Sequence, residues 1–277
     1  MLFYAKIPTK LRICLLLALL LIFFALCSQW LTPNDPYAQD LSKALQPPSS
    51  TFLFGTDRYG RDLLSRIMVG STISVFSALG IVLATSVAGS ILGLLCGYYE
   101  GKLDKASTLI ADSVLAIPSL ILAIAIAGVI GGGLSGALLA LCWTGWPKYQ
   151  RLMRSTVLRI KQEPYIRIAP LYGYSKRQII WQQLFPVSLP PILLMAAMDM
   201  GTVLLELAGL SFLGLSAPPP AAEWGLMMSD GRSMLQLAPW SIAAPAIALF
   251  ITVSIFNLLG DTYKDYLEDN KQKDGSQ

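Results

Sequence analysis

Histidine is absent from this sequence of 277 residues, and only 14% of the residues are charged. The absence of histidine excludes any catalytic or metal site that needs an imidazole from this chain. The sequence also has no GxxxxGK[ST] loop for cradling nucleotide phosphates, and no HExxH, nucleophile-elbow or paired-cysteine zinc motif. We therefore predict a protein that is not an enzyme and that holds no metal or cofactor.

Apolar residues make up 54% of the sequence, and the charged residues cluster between apolar runs. This composition is typical of an integral membrane protein. The net charge of +4 is explained by basic loops beside apolar spans, so no nucleic-acid partner is predicted. The cysteines lie inside apolar stretches without zinc or disulfide spacing, and we predict buried, reduced thiols at Cys14, Cys27, Cys96 and Cys142.

Six apolar stretches predict six membrane-spanning helices, of which the fourth is short. They cover residues 13–31, 71–98, 107–130, 134–146, 189–215 and 239–259. Basic residues precede the first span and follow the fourth, so the positive-inside rule predicts that both termini are cytoplasmic. Pro118 falls within the third span, where neighbouring groups would take up the freed carbonyl. The predicted fold class is an all-α polytopic membrane protein.

These spans divide the chain into four parts. The parts are a cytoplasmic segment with the first span (1–31), an extracytoplasmic segment (32–70), a membrane core (71–265) with a cytoplasmic loop (148–186), and a charged, frayed cytoplasmic tail (266–277). A cleaved signal peptide is the alternative for the first span, and the bulky Phe24 and Leu26 disfavour it because cleavage needs small residues.

Two acids lie in the fifth span, Asp199 and Glu206. A charge at such a depth costs about 2.5 to 3.5 kcal/mol on insertion scales, so it should face a cavity or a partner. Because an α-helix has 3.6 residues per turn, acids seven positions apart lie on the same face. The pair forms either the polar wall of a translocation path that favours cations, or interhelix hydrogen bonds, and the sequence leaves both possibilities open.

Residues 162–186, QEPYIRIAPLYGYSKRQIIWQQLFP, are polar and basic in an otherwise apolar chain. A helical run that begins near Lys148 should end or kink at Pro170, because proline lacks a backbone donor and crowds the preceding turn. Gly173 then permits a backbone conformation that larger residues resist. We predict a corner at this point.

A second helix is predicted after the corner. Ser175 and Gln178 have the spacing of a capping box, which would satisfy the free amides of a helix that begins at Lys176. Pro186 is predicted to stop that helix.

The pattern of Ala169, Gly173, the paired Ile179 and Ile180, and Pro186 resembles the conserved cytoplasmic loop of permease subunits in binding-protein-dependent ABC importers. The resemblance implies a type I importer permease fold and a short coupling helix that docks into a groove on a cytoplasmic ATPase. The implied coupling residues are Ala169, Leu171, Tyr172, Gly173, Tyr174 and Ser175. The alternative is a basic loop that only sets topology or contacts anionic lipid.

A second resemblance lies just before the second span. The pattern GTDxxGRDxxSR over residues 55–66 resembles a signature of the peptide and nickel permease family within these importers. From charge spacing alone, we expect residues 54–67 to form a short salt-bridged helix on the membrane surface rather than a ligand site. The stretches SQWLTPNDPYAQDLSKAL, AAEWG and FNLLGD are most similar to the nickel-type permease that pairs with a second permease.

These resemblances imply an inner-membrane permease of a prokaryotic importer for nickel, carried as a chelate because the chain offers no imidazole ligands. The implied partners are a second permease subunit, two cytoplasmic ATP-binding subunits, an extracytoplasmic solute-binding protein and membrane lipid. Dipeptide and oligopeptide permeases share most of these sequence patterns, so a peptide importer is the alternative. A non-transporting membrane scaffold is the alternative from another functional class.

Overall fold

A computed structural model describes residues 8–275 of the chain. Among these residues there is no β-strand, and the all-α prediction is confirmed. The α-helices are α1 (Thr9–Leu31), α2 (Leu63–Tyr99), α3 (Gly101–Leu115), α4 (Ser119–Ile130), α5 (Gly133–Ile160), α6 (Pro164–Ile168), α7 (Lys176–Gln178), α8 (Phe185–Phe212), α9 (Trp224–Gly231) and α10 (Trp240–Gly275). Residues 1–7 of the predicted cytoplasmic amino-terminal segment and 276–277 of the predicted tail lie outside the described residues.

Four helical stretches are long and apolar enough to cross a membrane: α1, α2, the continuous helix Lys176–Phe212 and α10. A fifth is counted if α3 and α4 together form one bent span. Helix α5 has 28 residues, but its second half carries the basic side chains of the predicted cytoplasmic loop, which make it too polar to be counted. Six crossings and two cytoplasmic termini therefore stay predictions.

The third predicted span is broken rather than straight. Helix α3 ends at Leu115, α4 begins at Ser119, and the two helices are bent by 94°. Pro118 lies in the break as the N-cap of α4, a position at which no helical amide donor is needed. The expectation that neighbouring groups accommodate this proline inside one continuous span is wrong.

Two predicted helix boundaries are also wrong, because both helices continue through a proline. Helix α5 runs past Pro147 to Ile160, so no new helix begins near Lys148. Lys176–Phe212 is one helix of 37 residues, so Pro186 does not end it. A π-helical turn, Ile179–Leu184, precedes this proline, and its wider geometry makes room for the ring.

The predicted surface helix over residues 54–67 is wrong as well. Residues 54–61 form turns with a single β-bridge between Thr56 and Asp62, and α2 begins at Leu63 rather than at the predicted residue 71. The carboxyl-terminal tail continues α10 as helix to Gly275, so its backbone is not frayed within the described residues. In both places the chain follows tertiary packing or helix propagation rather than local charge spacing.

Close packing between α2 and α5 sets the centre of the molecule. Three glycines of α2, Gly89, Gly93 and Gly97, face the backbone or β-carbons of α5. A β-carbon at Gly93 would lie 2.4 Å from the carbonyl oxygen of Gln150, so no larger residue fits there without movement. These small residues let the backbones of α2 and α5 approach closely.

Candidate functional site

The segment between α5 and α8 forms a compact corner, and we call residues 161–185 the corner loop. After α5 ends at Ile160, the chain forms the short helix α6 and a 3₁₀ turn, Ala169–Tyr172. Gly173 ends this turn in the left-handed region with φ of +84°. Its amide donates to Pro170 O over 3.1 Å. The helix expected to end or kink at Pro170 already ends at Ile160, and the predicted corner lies at Gly173.

The second half of the corner loop begins with the predicted cap. The Gln178 amide donates to Ser175 Oγ over 3.3 Å, and the Ser175 amide donates to Gln178 Oε1 over 2.9 Å. These reciprocal bonds form a capping box, and α7 begins at Lys176. The sequence prediction for this helix start is confirmed.

A buried apolar cluster fixes the corner loop to the carboxyl-terminal halves of α2 and α5 and to the amino-terminal half of α8. We call it the base cluster. Its members are Leu94, Tyr149, Met153, Val157, Ile160, Ile166, Ala169, Ile179, Ile180, Leu184 and Ile192. Each helix that enters or leaves the corner loop contributes to this cluster, so the loop has a rigid base.

The tip of the corner loop is exposed and apolar. Leu171 is 86% exposed and Tyr172 is 77% exposed, although both side chains are large enough to favour burial. Gly173, Tyr174 and Ser175 are exposed beside them. Of the six coupling residues expected from the sequence, only Ala169 is buried, at 3% exposure. Five of the six therefore share one accessible surface.

Charged and polar groups surround this tip. Arg167, Lys176 and Arg177 are exposed on either side of it, so the surface is basic. Partial burial and the nearby charge of Glu163 raise the pKa of Tyr165, so its phenol stays neutral at physiological pH. The arrangement suits contact with a partner that presents an apolar recess and acidic groups.

Asp199 lies where α8 packs against α5. Its carboxylate is 8% exposed and forms an ion pair with Lys148, with Nζ 2.5 Å from Oδ1. The Tyr149 hydroxyl donates to the other oxygen, Oδ2, over 2.9 Å. Sequence reasoning assigned Lys148 to the cytoplasmic loop and missed it as the counter-charge. The only signal was a lysine directly after the Trp146-Pro147 end of an apolar run.

Glu206 contacts a different helix. The hydroxyl of Ser119, the first residue of α4, donates to Glu206 Oε1 over 2.5 Å. The Glu206 side chain is partly buried, and no basic side chain among residues 8–269 forms an ion pair with it. Both intramembrane acids therefore make interhelix hydrogen bonds, one of the two possibilities that the sequence left open.

A second polar centre links the predicted extracytoplasmic segments. We call it the outer charge cluster, and it comprises Asp57, Arg58, Arg61, Arg66 and Asp230. Arg61 Nε lies 2.6 Å from Asp57 Oδ2, and Arg58 Nη2 lies 2.9 Å from Asp230 Oδ1. The charges of the GTDxxGRDxxSR pattern thus pair across the fold with the last outer loop, rather than along one surface helix.

The AAEWG stretch has a structural explanation in the same region. Glu223 is 1% exposed and caps α9 by accepting from the amides of Gly225 and Leu226. Ser74 of α2 donates to the same carboxylate over 3.2 Å, and the Trp224 indole donates to Ile67 O over 3.0 Å. These bonds attach α9 to the outer end of α2.

A metal site is not formed by the described part of the chain. Within residues 8–269, no group of three or more cysteine, aspartate or glutamate side chains is placed to hold a metal ion. The acids that sequence reasoning placed in the membrane are engaged separately, by α5 and by α4. Any transition metal that crosses this protein would need most of its ligands from elsewhere.

Comparison with known proteins gives consistent matches. A family model described as "Binding-protein-dependent transport system inner membrane component" matches residues 89–273. The chain is 40% identical over 260 residues to the probable D,D-dipeptide transport system permease protein DdpC of Escherichia coli (strain K12), covering 94% of this chain and 86% of that protein. It is 35% identical over 266 residues to the nickel transport system permease protein NikC of the same strain, covering 96% of each.

A solved structure shares the fold. The MetNI methionine ABC transporter, in an inward-facing conformation, aligns with a TM-score of 0.58 over 72% of this chain and 94% of that chain, at 18% identity. This similarity concerns the fold alone, and it confirms the predicted importer-permease architecture. The chain therefore belongs to the family of inner-membrane components of binding-protein-dependent transport systems, and it is a multi-pass ABC importer permease of the prokaryotic plasma membrane.

Proposed function

We propose that this chain is one of two permease subunits that together form the path of an ATP-driven importer for nickel, carried as a chelate. An extracytoplasmic binding protein delivers the solute, and two separate cytoplasmic subunits hydrolyse ATP. The proposal is supported by the relatives in the peptide and nickel branch. It also accounts for a chain that has no GxxxxGK[ST] loop of its own.

The observation that carries the proposal is the exposed apolar tip of the corner loop on its buried base. Leu171 and Tyr172 would gain about 1.5 to 3 kcal/mol each if a partner buried them fully. The surrounding Arg167, Lys176 and Arg177 would steer an acidic partner surface towards the tip. The base cluster would then pass any displacement of the tip to α5 and α8. In this proposal the coupling residues are the six expected from the sequence.

The cargo is proposed from the ligands that the chain lacks. With no histidine in the sequence and no metal-binding group among residues 8–269, a bare nickel ion would lose its hydration shell without replacement. A chelate keeps its own ligands and needs only a polar cavity. Glu206 would supply negative potential to that cavity, whereas Asp199 is neutralised by Lys148.

A short peptide is the second candidate cargo. The relative named as a D,D-dipeptide permease is 40% identical to this chain, compared with 35% for the relative named as a nickel permease. A peptide ammonium group suits the Glu206 carboxylate, which has no ion-pair partner among the described residues. Peptides and amino-acid chelates share the same amine and carboxylate chemistry, so a competition experiment has to separate them.

The test is uptake of labelled nickel, supplied with histidine as chelator, in cells that carry or lack this chain. For the nickel importer, we expect uptake to disappear without the chain and to resist an excess of dipeptides. Unchanged nickel uptake with loss of dipeptide uptake would assign the peptide cargo instead.

A matched control uses the variant Leu171→Asp with Tyr172→Asp. It places charge on the tip without touching the base cluster, so the protein should insert in normal amounts but support no uptake. If neither nickel nor dipeptide uptake depends on the chain, and the control variant behaves as the wild type, the chain is a membrane scaffold rather than a transporter.

A further inference from the structure

A partly buried ion pair joins the two helices that hold the corner loop. Helix α5 leads into the loop and the continuous helix that contains α8 leads out of it. Lys148 lies on α5 and Asp199 lies on α8, twelve residues before the end of α5 and fourteen after the start of α8 by their numbers. Their contact therefore joins α5 to α8 at a point remote from the ends at which these helices meet the corner loop.

The pair has the geometry of a specific connection. Asp199 receives the Lys148 ammonium group on one oxygen and the Tyr149 hydroxyl on the other, at 2.5 and 2.9 Å. Both partners come from consecutive residues of α5, so the carboxylate is held from two directions. Tyr149 is fully buried and is also a member of the base cluster. Through Tyr149, the ion pair is thus in contact with the base cluster, which supports the corner loop.

Packing alone does not require charges at this place. Removing two ions from water carries a large desolvation penalty, and well-packed apolar residues of similar volume are often as stabilising or more so. The neighbouring contacts of α5 with α2 are made mainly by glycines and apolar side chains, and the ion pairs described for α5 join it to α3 and to α8. A pair of charges gives a directional link that fixes the register of two helices, which apolar packing does not.

We infer that Lys148, Tyr149 and Asp199 form a positioning clamp that makes α5 and α8 move as one body with the corner loop. This inference rests on the proposed function. When the tip of the loop is displaced by the ATPase, the clamp keeps α8 from sliding past α5. The displacement then reaches the outer half of α8, which carries Glu206 and its bond to α4. Without the clamp, the loop would move while the outer half of α8 lags behind.

The experiment measures solute transported per ATP hydrolysed by the complete importer in reconstituted vesicles. The probe is the labelled nickel and histidine chelate, or labelled dialanine, whichever the wild-type complex transports. The variants are Lys148→Met, Asp199→Asn and Tyr149→Phe, the reversed pair Lys148→Glu with Asp199→Lys, and the apolar pair Lys148→Met with Asp199→Leu. Arg151→Met is the matched control, because Arg151 is three residues along α5 and pairs with Asp112 on an exposed surface.

We expect the Lys148 and Asp199 single variants and the apolar pair to lower the transport ratio about tenfold, the size of a typical coupling between sites. The reversed pair should recover most of this loss, Tyr149→Phe should lose less, and Arg151→Met should keep the wild-type ratio. A purely structural role would change the amount of assembled complex but not the ratio.

Two results would overturn the clamp. One is a wild-type ratio in the apolar pair, because charges would then be unnecessary. The other is a reduced amount of protein in the single variants with the ratio unchanged. A wild-type complex that transports neither probe contradicts the proposed function instead, so the two failures are distinguishable.

Discussion

Arg66 illustrates what single residues decide in this fold. It is 1% exposed, and it is the largest of the fully buried side chains among the described residues. Its guanidinium group donates to Pro36 O and to Ala221 O, each over 3.1 Å, and lies 3.7 Å from Asp57 Oδ2. Arginine suits this position because its planar group offers several fixed donors at once. One side chain thereby holds two chain segments that are distant in sequence.

We predict that Arg66→Leu destabilises the protein by about 2 to 4 kcal/mol, because it leaves the carbonyl groups of Pro36 and Ala221 without their charged donor, although Asp57 keeps its ion pair with Arg61. Thermal unfolding in detergent measures the change. Lys43→Met is the control, since Lys43 forms an exposed ion pair with Asp40 at 2.8 Å and its loss should leave stability unchanged. Equal unfolding temperatures for Arg66→Leu and the wild type would contradict the role assigned to the outer charge cluster.

The control pair also shows why an exposed ion pair is a poor guide to stability. Hydrogen bonds from Lys43 and Ser42 lower the pKa of Asp40 to about 2. Even so, both side chains stay in water, where their attraction is screened. Asp40 is exposed whereas Asp57 is buried, and this difference in burial, rather than the number of partners, decides how much each ion pair stabilises the fold.

At the scale of elements, the corner loop depends on one backbone conformation. Gly173 has φ of +84°, and a β-carbon added there would meet no atom within 4 Å. A larger residue at this position is therefore opposed by backbone strain, not by a clash within the chain. Asparagine tolerates this region better than other non-glycine residues.

We predict that Gly173→Trp leaves the protein inserted but reduces stimulation of the partner ATPase about tenfold or more, whereas Gly173→Asn keeps most of it. ATPase activity of the reconstituted complex, with and without loaded binding protein, measures the effect. Normal stimulation by Gly173→Trp would contradict the docking role proposed for Leu171 to Ser175.

Prolines have different effects in different helices of this protein. Pro118 lies in a 94° break, while Pro147 and Pro186 lie in continuing helices. The residues alone do not separate these cases, because the local penalty is the same for each. Close packing of α5 on α2 and a π-helical turn before α8 offset that penalty at the last two positions.

For the whole molecule, the number of membrane spans decides which end of each helix faces the cytoplasm. The length and composition of the helices support four spans, or five with the bent pair, while the apolar stretches of the sequence predict six. Helix α5 makes the difference, because its polar half would have to lie at the inner membrane surface. The number of spans also decides on which side of the membrane the corner loop and α9 lie.

We predict that single cysteines introduced in a cysteine-free background will label from opposite sides of the membrane. Leu171→Cys and Asp261→Cys should react only when the reagent reaches the cytoplasmic face, and Leu235→Cys should react from outside intact cells. All three positions are exposed on the chain. Labelling of Leu171→Cys and Leu235→Cys from the same side would contradict the six-span topology.

Local sequence features predicted a large part of this structure. The all-α class, the apolar helices and the Ser175 capping box follow from hydrophobic content and capping chemistry. Each depends on residues close together in the chain, or on the cost of placing polar groups in lipid. Such terms act before any tertiary contact forms.

Only the tertiary structure decided which partners the charged residues have and whether a proline breaks its helix. Lys148 pairs with Asp199 across fifty-one positions, and Arg58 pairs with Asp230 across one hundred and seventy-two. A charge spacing read along one helix contains no information about a partner so far away. Sequence by itself determined that these charges needed partners, because burial without one is too costly. Only the packing of distant helices determined which partners they found.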